Sequence, residues 1–251
     1  TGGGYPNTGG RYDPSTDTWA VTSIDANVPV GRLGHTTVWT GSEMIVWGGH
    51  TYVSGHPSYL STGGRYDPVT DTWAPTSTGT GVPTGRHYHT AVWTGREMIV
   101  WGGQNNDGMS DGYPNTGGRY DPGTDSWAPT STAAGVPAPR YRHSAVWSGS
   151  EMIVWGGTGA TSLSTGGRYD PTTDLWAATS SGPGVPDPGC GHTGVWTGSE
   201  MVVWGGTGTT SLATGGRYAP STDTWTATST GSGVPEPRQY HAAVWIGTEM
   251  I

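Results

Sequence analysis

The chain has 251 residues, 45 of them Gly and 19 Pro, and their spacing leaves no room for a long α-helix. Nineteen Asp and Glu outweigh 11 basic residues, all Arg, for a formal net charge of −8, and no basic stripe exists to track a nucleic-acid backbone. The lone cysteine, Cys190, excludes an intrachain disulfide, and no apolar run reaches the roughly 18 residues that a membrane-spanning helix needs. The sequence starts at Thr1 without a signal-peptide pattern, which fits a cytosolic protein or a mature or trimmed secreted one, with an extracellular or periplasmic place slightly favoured.

Self-similarity organises everything else. TGGRYDP begins at Thr8, Thr62, Thr116 and Thr165 and returns as TGGRYAP at Thr214, in steps of 54, 54, 49 and 49. Trp19, Trp73, Trp127, Trp176 and Trp225 keep the same steps, as do His35, His89, His143, His192 and His241. The near identity of the units suggests recent duplication. We read one domain over 1–251, with units at about 1–31, 32–85, 86–139, 140–188, 189–237 and 238–251, the first and last partial.

In chain order, the first unit holds only the last two strands of the pattern. Each complete unit reads as four short strands. In the unit 86–139 these are His89–Trp93, Glu97–Trp101, Arg119–Tyr120 and Asp125–Ala128. Thr94-Gly95, Gly102-Gly103 and Asp121-Pro122 punctuate them, the last a type I turn signature. Such short connections predict antiparallel meanders. A single four-stranded sheet cannot bury both faces; stacking successive sheets around an axis can, and that is a β-propeller. The last unit holds its first strand and part of its second. Joining the ends gives a five-unit ring with one split blade, in which Gly10–Tyr12 pairs with the strand of Met250; the alternative is an arc of a six- or seven-bladed ring.

The string RHYHTAVWTGREMIVWGG (Arg86 to Gly103), with RYDPVTDTW (Arg65 to Trp73), resembles the kelch repeat: His, an apolar strand, a Gly doublet, Tyr-Asp-Pro, then Trp. The resemblance covers essentially the whole chain and looks like the bacterial type with near-identical repeats. It implies an all-β kelch-type propeller. It also implies that the loop before the first strand and the loop after the second open on one face.

Constant positions build the frame. The Gly doublets are expected at φ > 0 or at close backbone approach. The Tyr and Trp are expected between sheets, their polar atoms reaching backbone acceptors. Arg11, Arg65, Arg119, Arg168 and Arg217, the set Arg32, Arg86, Arg140 and Arg238, and Glu43, Glu97, Glu151, Glu200 and Glu249 suggest ion pairs between strands or blades. The five His belong to packing, since a ring of equivalent positions is too wide for one metal ion. Ser144 next to His143 is Thr36, Thr90, Thr193 or Ala242 elsewhere, and so reads as frame, not as a nucleophile.

Two sets vary between units. One immediately precedes the constant His: Leu33-Gly34, His87-Tyr88, Tyr141-Arg142, Cys190-Gly191 and Gln239-Tyr240. The other is the loop after the Gly doublet, long at His50 to Ser61 and Gln104 to Asn115, short at Thr158 to Ser164 and Thr207 to Ala213. The five extra residues of the long units are expected in that loop. Tyr52, His56, Tyr59, His87, Tyr88, Asn105, Asp107, Tyr141, Arg142 and Tyr240 form the candidate ligand-binding set, with no catalytic residue assigned. Asn105, Asp107 and Asp111 could supply oxygen ligands to calcium; no other cofactor is expected. The leading function is a non-catalytic interaction propeller holding a protein segment, a glycan or an acidic group. The alternatives are a galactose-oxidase-like or epimerase-like enzyme with its residues in the axial opening, and a structural subunit of a larger assembly.

Overall fold

A computed structural model describes residues 4–105 and 112–251. The first hairpin pairs β1 (Gly10–Asp13) with β2 (Thr18–Val21). The first complete blade contains β3 (Thr36–Trp39) and β4 (Met44–Trp47), then, beyond an inserted hairpin of β5 (His50–Val53) and β6 (His56–Tyr59), β7 (Gly63–Asp67) and β8 (Thr72–Pro75). The second blade is β9 (Thr90–Trp93), β10 (Met98–Trp101), β11 (Gly117–Asp121) and β12 (Ser126–Pro129). The third is β13 (Ser144–Trp147), β14 (Met152–Trp155), β15 (Gly166–Asp170) and β16 (Leu175–Ala178). The fourth is β17 (Thr193–Trp196), β18 (Met201–Trp204), β19 (Gly215–Ala219) and β20 (Thr224–Ala227). Each complete blade is an antiparallel meander, as the sequence predicts.

Register is constant across blades. Met44, Met98, Met152 and Met201 stand opposite Tyr66, Tyr120, Tyr169 and Tyr218. The Asp-Pro turns close locally: Asp67 accepts the Val69 N–H at 2.8 Å, and Asp71 turns the chain at φ 55°. Cores form between sheets. Val38, Ile45 and Trp47 of the first blade interlock with Met98, Val100, Tyr120 and Trp127 of the second, and equivalent clusters join second to third and third to fourth. Trp47, Trp101 and Trp155 are almost fully buried. At about 25 cal/mol per Å², an indole-rich seam of this kind is the main source of cohesion in a chain poor in aliphatic residues.

Directional polar contacts key each unit to the next. Thr36 Oγ1 meets His89 Nε2 at 2.8 Å, and Thr90 meets His143 at 2.7 Å, Ser144 His192 at 2.9 Å and Thr193 His241 at 3.0 Å. Ser144 and its His thus form one more frame contact. Arg65 Nη1 donates to the Pro122 carbonyl at 2.9 Å, and Arg168 to Pro220 at 3.0 Å. The Ser77 N–H donates to Asp125, whose carboxylate also accepts the Tyr120 hydroxyl at 2.6 Å.

Several expectations need correction. The Tyr hydroxyls of the blades reach Asp carboxylates rather than backbone. Trp73 and Trp127 do donate to backbone carbonyls, of Ser23 and Ser77, but Trp47, Trp101 and Trp155 hold their N–H groups in the apolar seam without an acceptor among the described residues. The two Arg sets differ as well. Arg65, Arg119, Arg168 and Arg217 lie 3.5–4.0 Å from Glu43, Glu97, Glu151 and Glu200. Arg32 and Arg140 instead bury their guanidinium groups against carbonyls. Arg140 bonds those of Ala138, Gly156 and Thr165.

The Gly doublets behave as expected: Gly48 and Gly49 have φ of 73° and 88°. A Cβ on Gly48 would come within 2.5 Å of the His89 ring. The extra residues of the unit 32–85 sit after the doublet but form the hairpin β5–β6 in place of an irregular loop. Closure of a split blade is not found. Among the described residues β1 pairs with β2 and Met250 bridges Trp245, and no pairing joins Gly10–Tyr12 to the strand of Met250.

Candidate binding face

Two backbone features bring the variable positions together. The residue before the constant His is left-handed in every complete unit: Gly34 (φ 68°), Tyr88 (52°), Arg142 (54°) and Gly191 (67°), with Tyr240 (55°) following. These residues hydrogen-bond in succession. Tyr88 N–H donates to Gly34 O at 2.9 Å, Arg142 to Tyr88 at 3.1 Å, Gly191 to Arg142 at 3.4 Å and Tyr240 to Gly191 at 2.7 Å. The first strands β3, β9, β13 and β17 lie beside one another in the same order. The chain of bonds therefore follows the inner rim of the blades.

The second feature joins the two variable sets. Leu33 bridges His50, His87 bridges Gln104, Tyr141 bridges Thr158 and Cys190 bridges Thr207. Each residue two before the constant His is thus paired with the first residue after a Gly doublet. The shared face that the kelch resemblance implies follows from these pairings.

Arg142 is the centre of the face. Its Nη1 donates to the Tyr240 hydroxyl at 2.6 Å, and its guanidinium carbon lies 4.6 Å from the Tyr88 ring centroid, 5.5 Å from that of Tyr141 and 5.4 Å from that of Tyr240. Tyr141 in turn stacks on Tyr113 at 4.9 Å and 11°. Beside this cluster Tyr59 stacks on His87 at 5.0 Å, His87 meets His50 at 4.9 Å, and Tyr52 and Tyr5 pack on His50. The Tyr5 hydroxyl is 3.2 Å from His50 Nε2. Burial, with the neighbouring His50, pushes His87 down to about 4, and burial also lowers His50, so both imidazoles are neutral at pH 7.

Of the candidate residues, Tyr52, Tyr59, His87, Tyr88, Tyr141, Arg142 and Tyr240 converge on this face. His56 is exposed on β6, opposite Val53, and makes no ring contact among the described residues. Asn105 is buried, donating its side-chain amide to Thr84 Oγ1 at 3.3 Å and its backbone N–H to Gly112. Asp107 and Asp111, with the calcium loop they belong to, lie outside the described residues. Tyr5, His50 and Tyr113 were missed. Tyr5 and Tyr113 occupy matching places in the repeated GYPNTGGRYDP, so a search for differences between units passes over them; His50 stood inside the variable loop and could have been chosen.

A rigid blade frame with its differing side chains gathered at the rim defines a kelch-type repeat propeller. The chain belongs to the KLHDC2/KLHL20/DRC7 Kelch-repeats domain family, whose model matches residues 2–206. It is also similar to Kelch domain-containing protein 3 of Bos taurus and of Homo sapiens, 33% identical over 131 residues in each case. That stretch covers 52% of this chain and 33% of each relative, so the match spans a third of their length.

Proposed function

We propose that this propeller is a non-catalytic interaction module that holds a segment of a partner protein on the face centred on Arg142. The observation that supports this most is the cost of the arrangement. Tyr88, Arg142 and Tyr240 are bulky residues in the left-handed region, where Gly34 and Gly191 serve the frame equally well. Their side chains build a guanidinium–tyrosine cluster, and Tyr and Arg are the residue types that dominate binding hot spots. Tyr hydroxyls, neutral imidazoles and one guanidinium offer donors to backbone carbonyls and to anionic side chains, with aromatic area around them. The relatives named above are mammalian; the near-identical units are our reason for grouping the chain with bacterial-type kelch propellers.

The test is selection of displayed peptides on the intact chain, followed by calorimetry of the best binder against Tyr88→Ala, Tyr141→Ala and Arg142→Ala. Each truncation is expected to weaken binding by about 1–3 kcal/mol. Unchanged affinity in all three, or a footprint on the opposite ends of the blades, defeats the reading.

A further inference from the structure

A second site lies on the opposite ends of the blades. Between the second and third blades is a cavity of about 590 Å³. Its walls come from the turn of Thr94, Arg96 and Glu97, from Arg119 of β11, from Trp147 and the turn after it, and from the Asp170–Thr172 turn. β9 leads from Tyr88 to that first turn, so the strand length separates the cavity from the Arg142 cluster.

Three observations bear on what it takes. The first is the indole. Trp47, Trp101 and Trp155 of the second strands are almost fully buried, and Trp127, Trp176 and Trp225 of the fourth strands are 6–7% exposed. Trp147 packs one side on the core between second and third blades yet stays half-buried at the cavity wall. The second is Arg96. The other complete units have Ser42, Ser150 or Ser199 at this turn position, so the turn does not require an Arg. Its side chain is 80% exposed and pairs with Asp121 at 3.3 Å. The third is charge balance. The lining carries Arg96 and Arg119 against Glu97, Glu151 and Asp170, with Arg119 held 4.0 Å from Glu97. Such a wall has no net positive charge to attract an anion. It presents guanidinium donors and carboxylate acceptors in one lining, which suits a hydroxyl that both donates and accepts.

An apolar ring face beside paired donors and acceptors, in a cleft within the usual 300–1,000 Å³ of small-ligand sites (roughly), matches a neutral sugar ring. We propose that the cleft between the second and third blades binds a neutral carbohydrate, with one sugar ring against Trp147 and its hydroxyls bridged between Arg96, Glu97 and Glu151. The repeated frame places a related but smaller cleft beside Trp39, lined by Arg11.

The test is titration of the chain with glucose, galactose, mannose, xylose, fucose and N-acetylglucosamine, read by the indole N–H signals in an ¹⁵N-correlated spectrum. At least one sugar is expected to move the Trp147 signal in a saturable way. Arg96→Ser, which installs the residue of the other units and so keeps the fold, should weaken that sugar about tenfold. Arg142→Ala should leave it unchanged, which separates this site from the interaction face. The proposal is overturned if no sugar moves Trp147, if Arg96→Ser binds as the parent does, or if binding is lost in Arg142→Ala.

Discussion

Arg142 Nη1 bonds the Tyr240 hydroxyl at 2.6 Å across 98 residues of sequence, reaching past Gly191, the residue that holds the same rim position in the unit between them. Gly191 makes the reach possible: a Cβ there would lie 2.9 Å from the Tyr240 ring. The rim is thus a mixed row in which glycines clear space and bulky residues use it.

Substitutions along this row should separate stability from binding. Arg142→Gly and Tyr88→Gly relieve left-handed strain and are expected to hold the unfolding free energy in urea or raise it by up to about 1 kcal/mol, while weakening peptide binding. Gly191→Ala is expected to lower stability by about 1 kcal/mol or more. A loss of stability in both glycine variants would mean that the cluster is structural.

The Gly doublets should tolerate far less. Gly102→Ala puts a methyl group 2.7 Å from the His143 ring and 2.9 Å from the Arg140 carbonyl, at φ 66°. Neither neighbour is a free side-chain end, because His143 is tied to Thr90. Equilibrium unfolding should show a loss of roughly 2–4 kcal/mol.

Removing the buried guanidinium of Arg140 by Arg140→Met strands the carbonyl of Gly156 and leaves that of Thr165 with the Gly156 N–H alone, at 3.1 Å. The expected loss is about 2–4 kcal/mol by denaturant melt. The fourth blade, with Gly189 at this position, is the natural comparison: there the backbone alone remains, accepting the Gly157 N–H at 2.8 Å and donating to the Leu163 carbonyl at 3.3 Å. A cost below about 0.5 kcal/mol would show that backbone alone suffices everywhere.

The buried histidines set an acid limit. His89 and His143 are held well below their ordinary 6.5 by burial and by Arg86 and Arg140 respectively, and His192 by burial to about 4. They stay neutral in the folded chain while the unfolded chain takes up protons below pH 6.5. Stability contributed this way is complete above pH 6.5 and is lost as pH falls toward 4. The carboxylates Asp67, Asp71 and Asp170, lowered by hydrogen bonds, titrate below that window. Urea midpoints should therefore drop between pH 6.5 and 4, and His143→Gln should show a shallower drop. A flat profile would rule the histidines out.

Much of this architecture was legible because it is repeated. The spacing of TGGRYDP and of the His placed the four strands of each meander within a residue or two, and the doublets declared their left-handed backbone. Polar partners were less legible. Nothing in the spacing separates an Arg that meets Glu43 from one that buries itself among carbonyls, since the choice depends on which strand edge lies beneath the side chain. The hairpin β5–β6 was hidden for a related reason. Apart from the bridge of His50 to Leu33, His50–Tyr59 pairs with itself, so its pattern had no counterpart in shorter units. At the rim, differences between units located the Arg142 cluster, but Tyr5 and Tyr113 contribute through position and not through novelty.

The inter-unit contacts carry no address. Thr90 reaching His143 is chemically the same event as Thr36 reaching His89 or Thr193 reaching His241. A blade cannot distinguish its proper neighbour from any other, so an unequal crossover that adds or removes a whole unit leaves every junction intact. Blade number is then free to drift under selection for the rim alone. The identity of the molecule lies in a few rim side chains, and the remainder is an interchangeable part.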